Sequence, residues 1–215
     1  MLRPSTGFVT LTRRSLLCFL ALSFTAPVFG QSLRVVSVEE HWELSLAQPD
    51  EDRSAPQITM VFSPDGDLNG EHFLFTLNHV SVPQYEPGGM QVQLWDDDQL
   101  VESSSAESGA LASNEEVVRW AQRLSLEDGA LKFEVLQGES ETWGEFGGES
   151  LTVSLPTTLP SLNAYRPGVS ISESQVSYAE NRVVSLTLTK LVWVTEDGQV
   201  HEMSAPIAVD TSLDQ

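Results

Sequence analysis

Two short segments hold residue types whose spacing could do chemistry. Asp65-Gly66-Asp67-Leu68-Asn69-Gly70 sets oxygen-bearing side chains at alternate positions among glycines, as the first half of a calcium loop does. The twelfth position of an EF-hand needs a bidentate Glu, and Thr76 stands there in a strand-like run, so that reading fails. Two alternatives remain: a looser β-loop calcium site with Asp65, Asp67 and Asn69 as ligands, or a polar turn built from the residues turns prefer. The second segment, Gln137 to Ser150 (QGESETWGEFGGES), places Trp143 and Phe146 among Gly138, Gly144, Gly147 and Gly148. Aromatic rings on such a loop could stack on sugar faces, with Glu145, Glu141 or Glu149 accepting hydroxyl hydrogen bonds. The competing expectation is that both rings turn inward and cap a core.

Other chemistry is sparse. His41, His72, His79 and His201 have no zinc-binding spacing, and His201-Glu202 lacks the second His of a metalloprotease helix. There is no Gly-x-Ser-x-Gly elbow and no phosphate-cradling glycine loop. Glu40 and Glu43 flank Trp42, but among 31 acids close pairs arise by chance. No catalytic residue is assigned, and the balance leans away from an enzyme.

The elements that must position these residues read as strands. Short runs with period-two alternation recur between turn clusters, the all-β pattern. Strands are expected near Leu33–Leu46, Gln57–Phe62, His72–Val80, Met90–Trp95, Leu100–Glu102, Val117–Leu126, Ala130–Gln137, Leu151–Leu155, Val169–Tyr178, Arg182–Thr195 and Gln199–Met203. Asp128-Gly129 suits a two-residue hairpin turn, because Gly accepts the positive φ such turns need. That turn would set Leu126 against Leu131 and Leu124 against Phe133 on one face, with Arg123 against Glu134 and Ser125 against Lys132 on the other. A like turn at Asp197-Gly198 would pair Val192 with Met203 and Trp193 with Glu202. Ser103–Asn114 reads as a surface loop, and the proline-rich stretch Pro156–Pro167 as a crossover between sheets.

About ten strands imply one all-β domain, a two-sheet antiparallel sandwich of jelly-roll or concanavalin-like type. Leu94-Trp95, Phe133-Glu134-Val135 and Thr142-Trp143-Gly144 resemble the middle of a concanavalin-like sandwich. Thr142 to Gly148 and Val176 to Val183 resemble segments of uncharacterised secreted bacterial proteins. Glycosidases of that fold carry alternating acids, Glu-x-Asp-x-Glu or Glu-x-Asp-x-x-Glu, on one strand, and no strand here has them. The resemblance therefore implies fold and compartment, not catalysis.

The chain begins with a leader-like segment. Arg3, Arg13 and Arg14 precede the apolar run Leu16 to Phe24, and Val28 and Gly30 offer the small side chains a signal peptidase reads. The apolar run is far shorter than the ~20 residues that span a bilayer. The expectation is a signal peptide over residues 1–30, a single domain over 31–215, and a periplasmic or extracellular location. Thr12 to Leu17 (TRRSLL) resembles a twin-arginine export motif and equally fits an ordinary secretory n-region. Cys18 is the sole cysteine and would leave with the leader, excluding disulfides and thiolate chemistry from the remainder. Losing the three leader arginines takes the formal charge from −20 to −23. Such a surface repels nucleic acid and anionic membrane. These features favour a secreted, non-catalytic binder of a neutral glycan or an envelope protein. The alternatives are a structural or adhesive protein with calcium-stabilised loops, and a glycan-active hydrolase or lyase.

Overall fold

The computed structural model describes residues 33–47, 56–78, 89–106, 111, 115–177, 182–204 and 206–209. The expected leader, Cys18, His79 and parts of the Ser103–Asn114 and Val176–Val183 segments lie outside the described residues. The elements, in chain order, are β1 (Val35–Leu46), β2 (Gln57–Phe62), β3 (Glu71–Leu77), β4 (Met90–Asp96), β5 (Gln99–Ala106), β6 (Val117–Glu127), β7 (Ala130–Ser140), β8 (Gly144–Phe146), β9 (Thr152–Pro156), helix α1 (Pro167–Glu173), β10 (Gln175–Ser177), β11 (Val183–Thr195), β12 (Val200–Met203) and β13 (Ile207–Ala208).

The expected two-sheet antiparallel sandwich is what forms. An eight-stranded sheet runs β12-β11-β1-β6-β7-β8, with β13 on β11 and β9 on β7; a five-stranded sheet runs β10-β2-β3-β4-β5. Period-two alternation sends one side of each strand inward. From the large sheet come Val38, Trp42, Leu44, Val118, Trp120, Leu124 and Phe133, and from the small sheet Met60, Phe62, Phe73, Phe75, Val92 and Leu94, all buried. Trp42 stacks on Trp120 at 6.3 Å, and Phe75 meets Trp120 edge-on at 6.0 Å. Phe133 joins the sheets by contacting both Phe62 and Phe73.

The Asp128-Gly129 hairpin has the expected register at all four pairs, with φ of 50° and 79° at the two turn residues. The second hairpin is offset by one residue. Leu191 faces Met203, Val192 faces Glu202 and Trp193 faces His201. Thr195 N donates to Gln199 O, and Gly198 N donates to Thr195 O. Three residues therefore form the loop rather than two, with Gly198 at positive φ closing it.

Two further expectations are corrected. Val169–Tyr178 is not one strand: Pro167 opens α1, where its missing N–H costs nothing, and only Gln175–Ser177 pairs with β2. The strand ending near Glu102 continues to Ala106, taking in Ser103–Ala106 of the expected surface loop, because β4 pairs with it throughout although that stretch lacks bulky side chains. The Pro156–Pro167 stretch does connect the sheets, from β9 in the large one towards β10 in the small one.

Phe146 lies directly over Gly138, where a Cβ would stand 2.1 Å from its ring. Gly138→Ala should therefore cost about 1–3 kcal/mol by overpacking, while Gly70→Ala, with open space around it, should change stability by less than about 0.5 kcal/mol. Urea unfolding of the two variants checks this; equal losses would refute the packing argument.

Candidate functional site

The outward side of the large sheet is a lattice fixed by register. Along one row Glu43, Arg119, Glu139 and Glu145 stand opposite one another across β1, β6, β7 and β8. The next row holds Lys190, His41, Ala121 and Gln137 across β11, β1, β6 and β7. A third holds Glu39, Arg123 and Glu134.

A bulge lies on each side of the His41–Ala121 pair. In β11, Thr189 is the extra residue between Leu188, opposite Trp42, and Lys190, opposite His41. In β7, Leu136 is the extra residue between Val135, opposite Gln122, and Gln137, opposite Ala121. Bulges bend their strands and sharpen the local twist, and here two of them flank a position occupied by a small alanine. Between them opens a cleft of about 750 Å³, lined by His41, Arg119, Ala121, Leu136, Gln137, Glu139, Glu145 and Thr189, with Gly147 and Gly148 at its lip. That volume lies within the ~300–1,000 Å³ of ligand pockets.

Charge is paired unevenly around the cleft. Arg119 Nε donates to Glu43 Oε2 at 2.8 Å, and its Nη1 is 3.5 Å from Glu139 Oε1. These bonds, Glu43's foremost, hold the guanidinium above its ordinary pKa. No cation among the described residues reaches Glu145. Glu39 Oε1 lies 2.6 Å from His41 Nε2, and this contact outweighs burial to hold Glu39 below the usual carboxylate range. Burial alone would raise Glu134, but Lys132 and Arg123 outweigh it and keep its pKa low.

The residues singled out from sequence fall in three places. Glu145 is exposed and lines the cleft. Trp143 and Phe146 are each only 9% exposed and belong to the core, packing edge-to-face at 6.2 Å. Their ring faces are thus engaged by protein rather than presented to a ligand. Buried Glu116 anchors the turn that leads to them, accepting from Thr142 N at 2.8 Å and Oγ1 at 2.7 Å. Asp65, Asp67 and Asn69 lie in the β2–β3 turn and bond to one another. Asp65 Oδ1 accepts from Asp67 N at 3.0 Å, and Asp67 Oδ1 from Asn69 N at 3.0 Å and Nδ2 at 2.7 Å. Those bonds from Asn69 lower the Asp67 pKa. Among the described residues no three His, Cys, Asp or Glu side chains gather as a metal site.

Sequence reasoning missed His41, Arg119, Gln137, Glu139 and Thr189, since only non-local register unites them. It also missed a polar cluster beneath the cleft, for which a local signal existed: Glu40 occupies the inward phase of β1 between Val38 and Trp42. Glu40 is fully buried. Its Oε2 accepts from Trp42 Nε1 at 2.9 Å and Gln122 Nε2 at 2.8 Å, and its Oε1 from the Tyr165 hydroxyl at 2.5 Å. Trp120 Nε1 donates to Gln122 Oε1, which fixes the amide's direction. Burial raises the Glu40 pKa despite these donors, and burial together with Glu40 keeps the Tyr165 phenol protonated.

No family model and no curated protein matches the chain. Among solved structures it is similar to scytalido-glutamic peptidase with a transition state analog inhibitor, at 12% identity and a TM-score of 0.28, covering 82% of this chain and 79% of that one. A likeness that distant bears on none of the residues of the cleft.

The raised pKa of Glu40 has a definite sign in stability. The folded protein holds this proton to higher pH than the unfolded chain does. Stability is therefore lost as pH rises from the ordinary carboxyl range through the raised value. Glu40→Gln removes that titration, so wild-type stability relative to the variant should fall between about pH 4 and about pH 8. Urea unfolding at both pH values measures it; a flat or rising difference would show that the donors, not burial, dominate.

Proposed function

We propose that this protein is an exported, non-catalytic β-sandwich that binds a neutral glycan in the outer-face cleft of its large sheet. The observation that carries the reading is the cleft itself: a concavity of about 750 Å³ whose lining mixes hydrogen-bonding groups with an apolar Leu136. Gln137 and Glu145, both exposed and on the neighbouring strands β7 and β8, offer donors and acceptors to a ligand. Leu136, half-buried at the cleft, offers the apolar contact that the C–H face of a sugar ring requires. A formal charge of −20 disfavours anionic polymers and leaves neutral ones. The leader-like segment supplies the case for export, and among the described residues no helix is long and apolar enough to cross a membrane.

Binding is preferred to hydrolysis because no described strand carries the alternating acids of concanavalin-like glycosidases. An envelope protein as partner would use the same cleft and is the second outcome of the test.

The test is a glycan array probed with the folded protein, followed by titration calorimetry on any hit. A neutral glycan should bind, and Gln137→Ala and Glu145→Ala, both at exposed positions, should each weaken it about three- to tenfold, the worth of one or two hydrogen bonds, with Tm unchanged. A blank array from folded protein, or binding indifferent to both variants, would refute the reading and direct the search to a protein partner.

A further inference from the structure

We infer that Asn69 is a site of covalent self-modification, where the backbone nitrogen of Gly70 displaces the side-chain amide and leaves aspartate or isoaspartate in the β2–β3 turn. This inference is independent of the glycan reading and concerns the segment Asp65–Gly70, which the cleft does not use. The attack needs an exposed side-chain amide, a following residue without a Cβ, and a backbone N–H that nothing else holds. Asn69 is exposed. A Cβ built on Gly70 would meet nothing within 4 Å, so the approach is open. Gly70 N donates no hydrogen bond among the described residues, although Gly70 O is engaged by His72 Nδ1 at 3.0 Å.

Comparable positions each fail a condition. The aspartates before Gly66, Gly129 and Gly198 carry carboxylates, poorer electrophiles than an amide. Two of those glycine N–H groups are also committed, Gly66 N to Ser63 Oγ at 3.0 Å and Gly198 N to Thr195 O at 2.8 Å. Asn78 is buried, with its amide engaged by Pro56 O and Leu111 N. Asn163 accepts from Val35 N and precedes Ala164 rather than glycine. In the step itself, Gly70 N bonds to Asn69 Cγ, and the proton it sheds ends on the departing Nδ2, which leaves as ammonia. The five-membered imide then takes up one solvent water and opens at either carbonyl, to aspartate or isoaspartate. Nothing is oxidised or reduced. The product lacks the Nδ2 donor that holds Asp67 Oδ1 at 2.7 Å and sets a carboxylate in its place. Like charges then stand at positions 65, 67 and 69, and the turn loses a bond that closes it.

The experiment is peptide mapping by mass spectrometry of the folded protein, held for weeks in mildly alkaline buffer made with heavy-oxygen water. The peptide spanning Asn69 should show the amide replaced by a carboxyl carrying one heavy oxygen, with isoaspartate present at position 69. Asn163 should stay intact. Gly70→Ala, which the open space around Gly70 lets fold, should convert severalfold more slowly, because the added Cβ crowds the attacking nitrogen. Its Tm, matched to wild type, shows that the comparison is between folded proteins, and Asn69→Asp supplies the aspartate product as a standard. An Asn69 that stays intact in the folded protein yet converts in urea would overturn the inference, since the turn would then hold the reacting groups apart. Conversion no faster than that of Asn163 would overturn it as well. So would equal rates in wild type and Gly70→Ala, which would mark direct hydrolysis by water rather than attack by Gly70 N.

Discussion

The register of β1 against β6 is the constraint on which the remainder depends, because it decides the character of both faces of the large sheet. Inward it sets Leu44 against Val118, Trp42 against Trp120, Glu40 against Gln122 and Val38 against Leu124. Outward it sets Glu43 against Arg119, His41 against Ala121 and Glu39 against Arg123. A one-residue slip of β6 would turn Arg119 and Arg123 into the core and Trp120 to solvent. Two apolar pairs, a tryptophan stack and two opposite-charge pairs all favour the same alignment. Core and surface thus specify one register together.

The cleft follows from a departure from that regularity. A sheet with unbroken ladders would present His41, Ala121 and Gln137 as one more row on a gently twisted surface. Thr189 and Leu136 interrupt the ladders on either side at that level. The strands bend around the one small side chain in the row, and Gly147 and Gly148 leave the lip open. Gly147 has φ of 120° and a Cβ there would meet Val135 O at 2.8 Å, so this close approach of the lip to β7 requires glycine. The irregular residues and the concavity coincide in space.

Sequence reasoning reached those parts of the structure whose causes are local. The Asp128-Gly129 hairpin was legible because turn chemistry, apolar pairing and charge pairing all lie within a few residues of the turn. The Asp197-Gly198 hairpin was not, because a third residue, Glu196, joined the loop through hydrogen bonds of Thr195 that composition does not reveal. At Pro167 the alternation in Val169–Tyr178 suggested strand, yet a proline at the first helical position won over it locally. Trp143 and Phe146 admit both stacking and core-capping in sequence, and their burial distinguishes the two. The cleft was illegible for a deeper reason. His41, Arg119, Gln137 and Thr189 come from four strands whose order and bulges are properties of the assembled sheet.

Glu40 illustrates what a closer reading of alternation could have recovered, and it ties the two faces together. A carboxyl in the inward phase of a strand must be either neutral or surrounded by donors. Here it meets Trp42, Gln122 and Tyr165, donors drawn from β1, β6 and the crossover between the sheets. Each partner is satisfied in only one orientation: Trp120 fixes the Gln122 amide, and Glu40 fixes the Tyr165 hydroxyl. An apolar residue of similar volume at position 40 would leave the Trp42, Gln122 and Tyr165 donors buried without acceptors, which costs more than burying the carboxyl saves. Trp42 and Trp120, held by this network, are the chain neighbours of His41 and Ala121 on β1 and β6. The polar cluster in the core therefore fixes the same stretch of β1 and β6 that the outer face uses for its concavity, and rigidity there is what a shallow, polar binding surface needs to hold its groups in place.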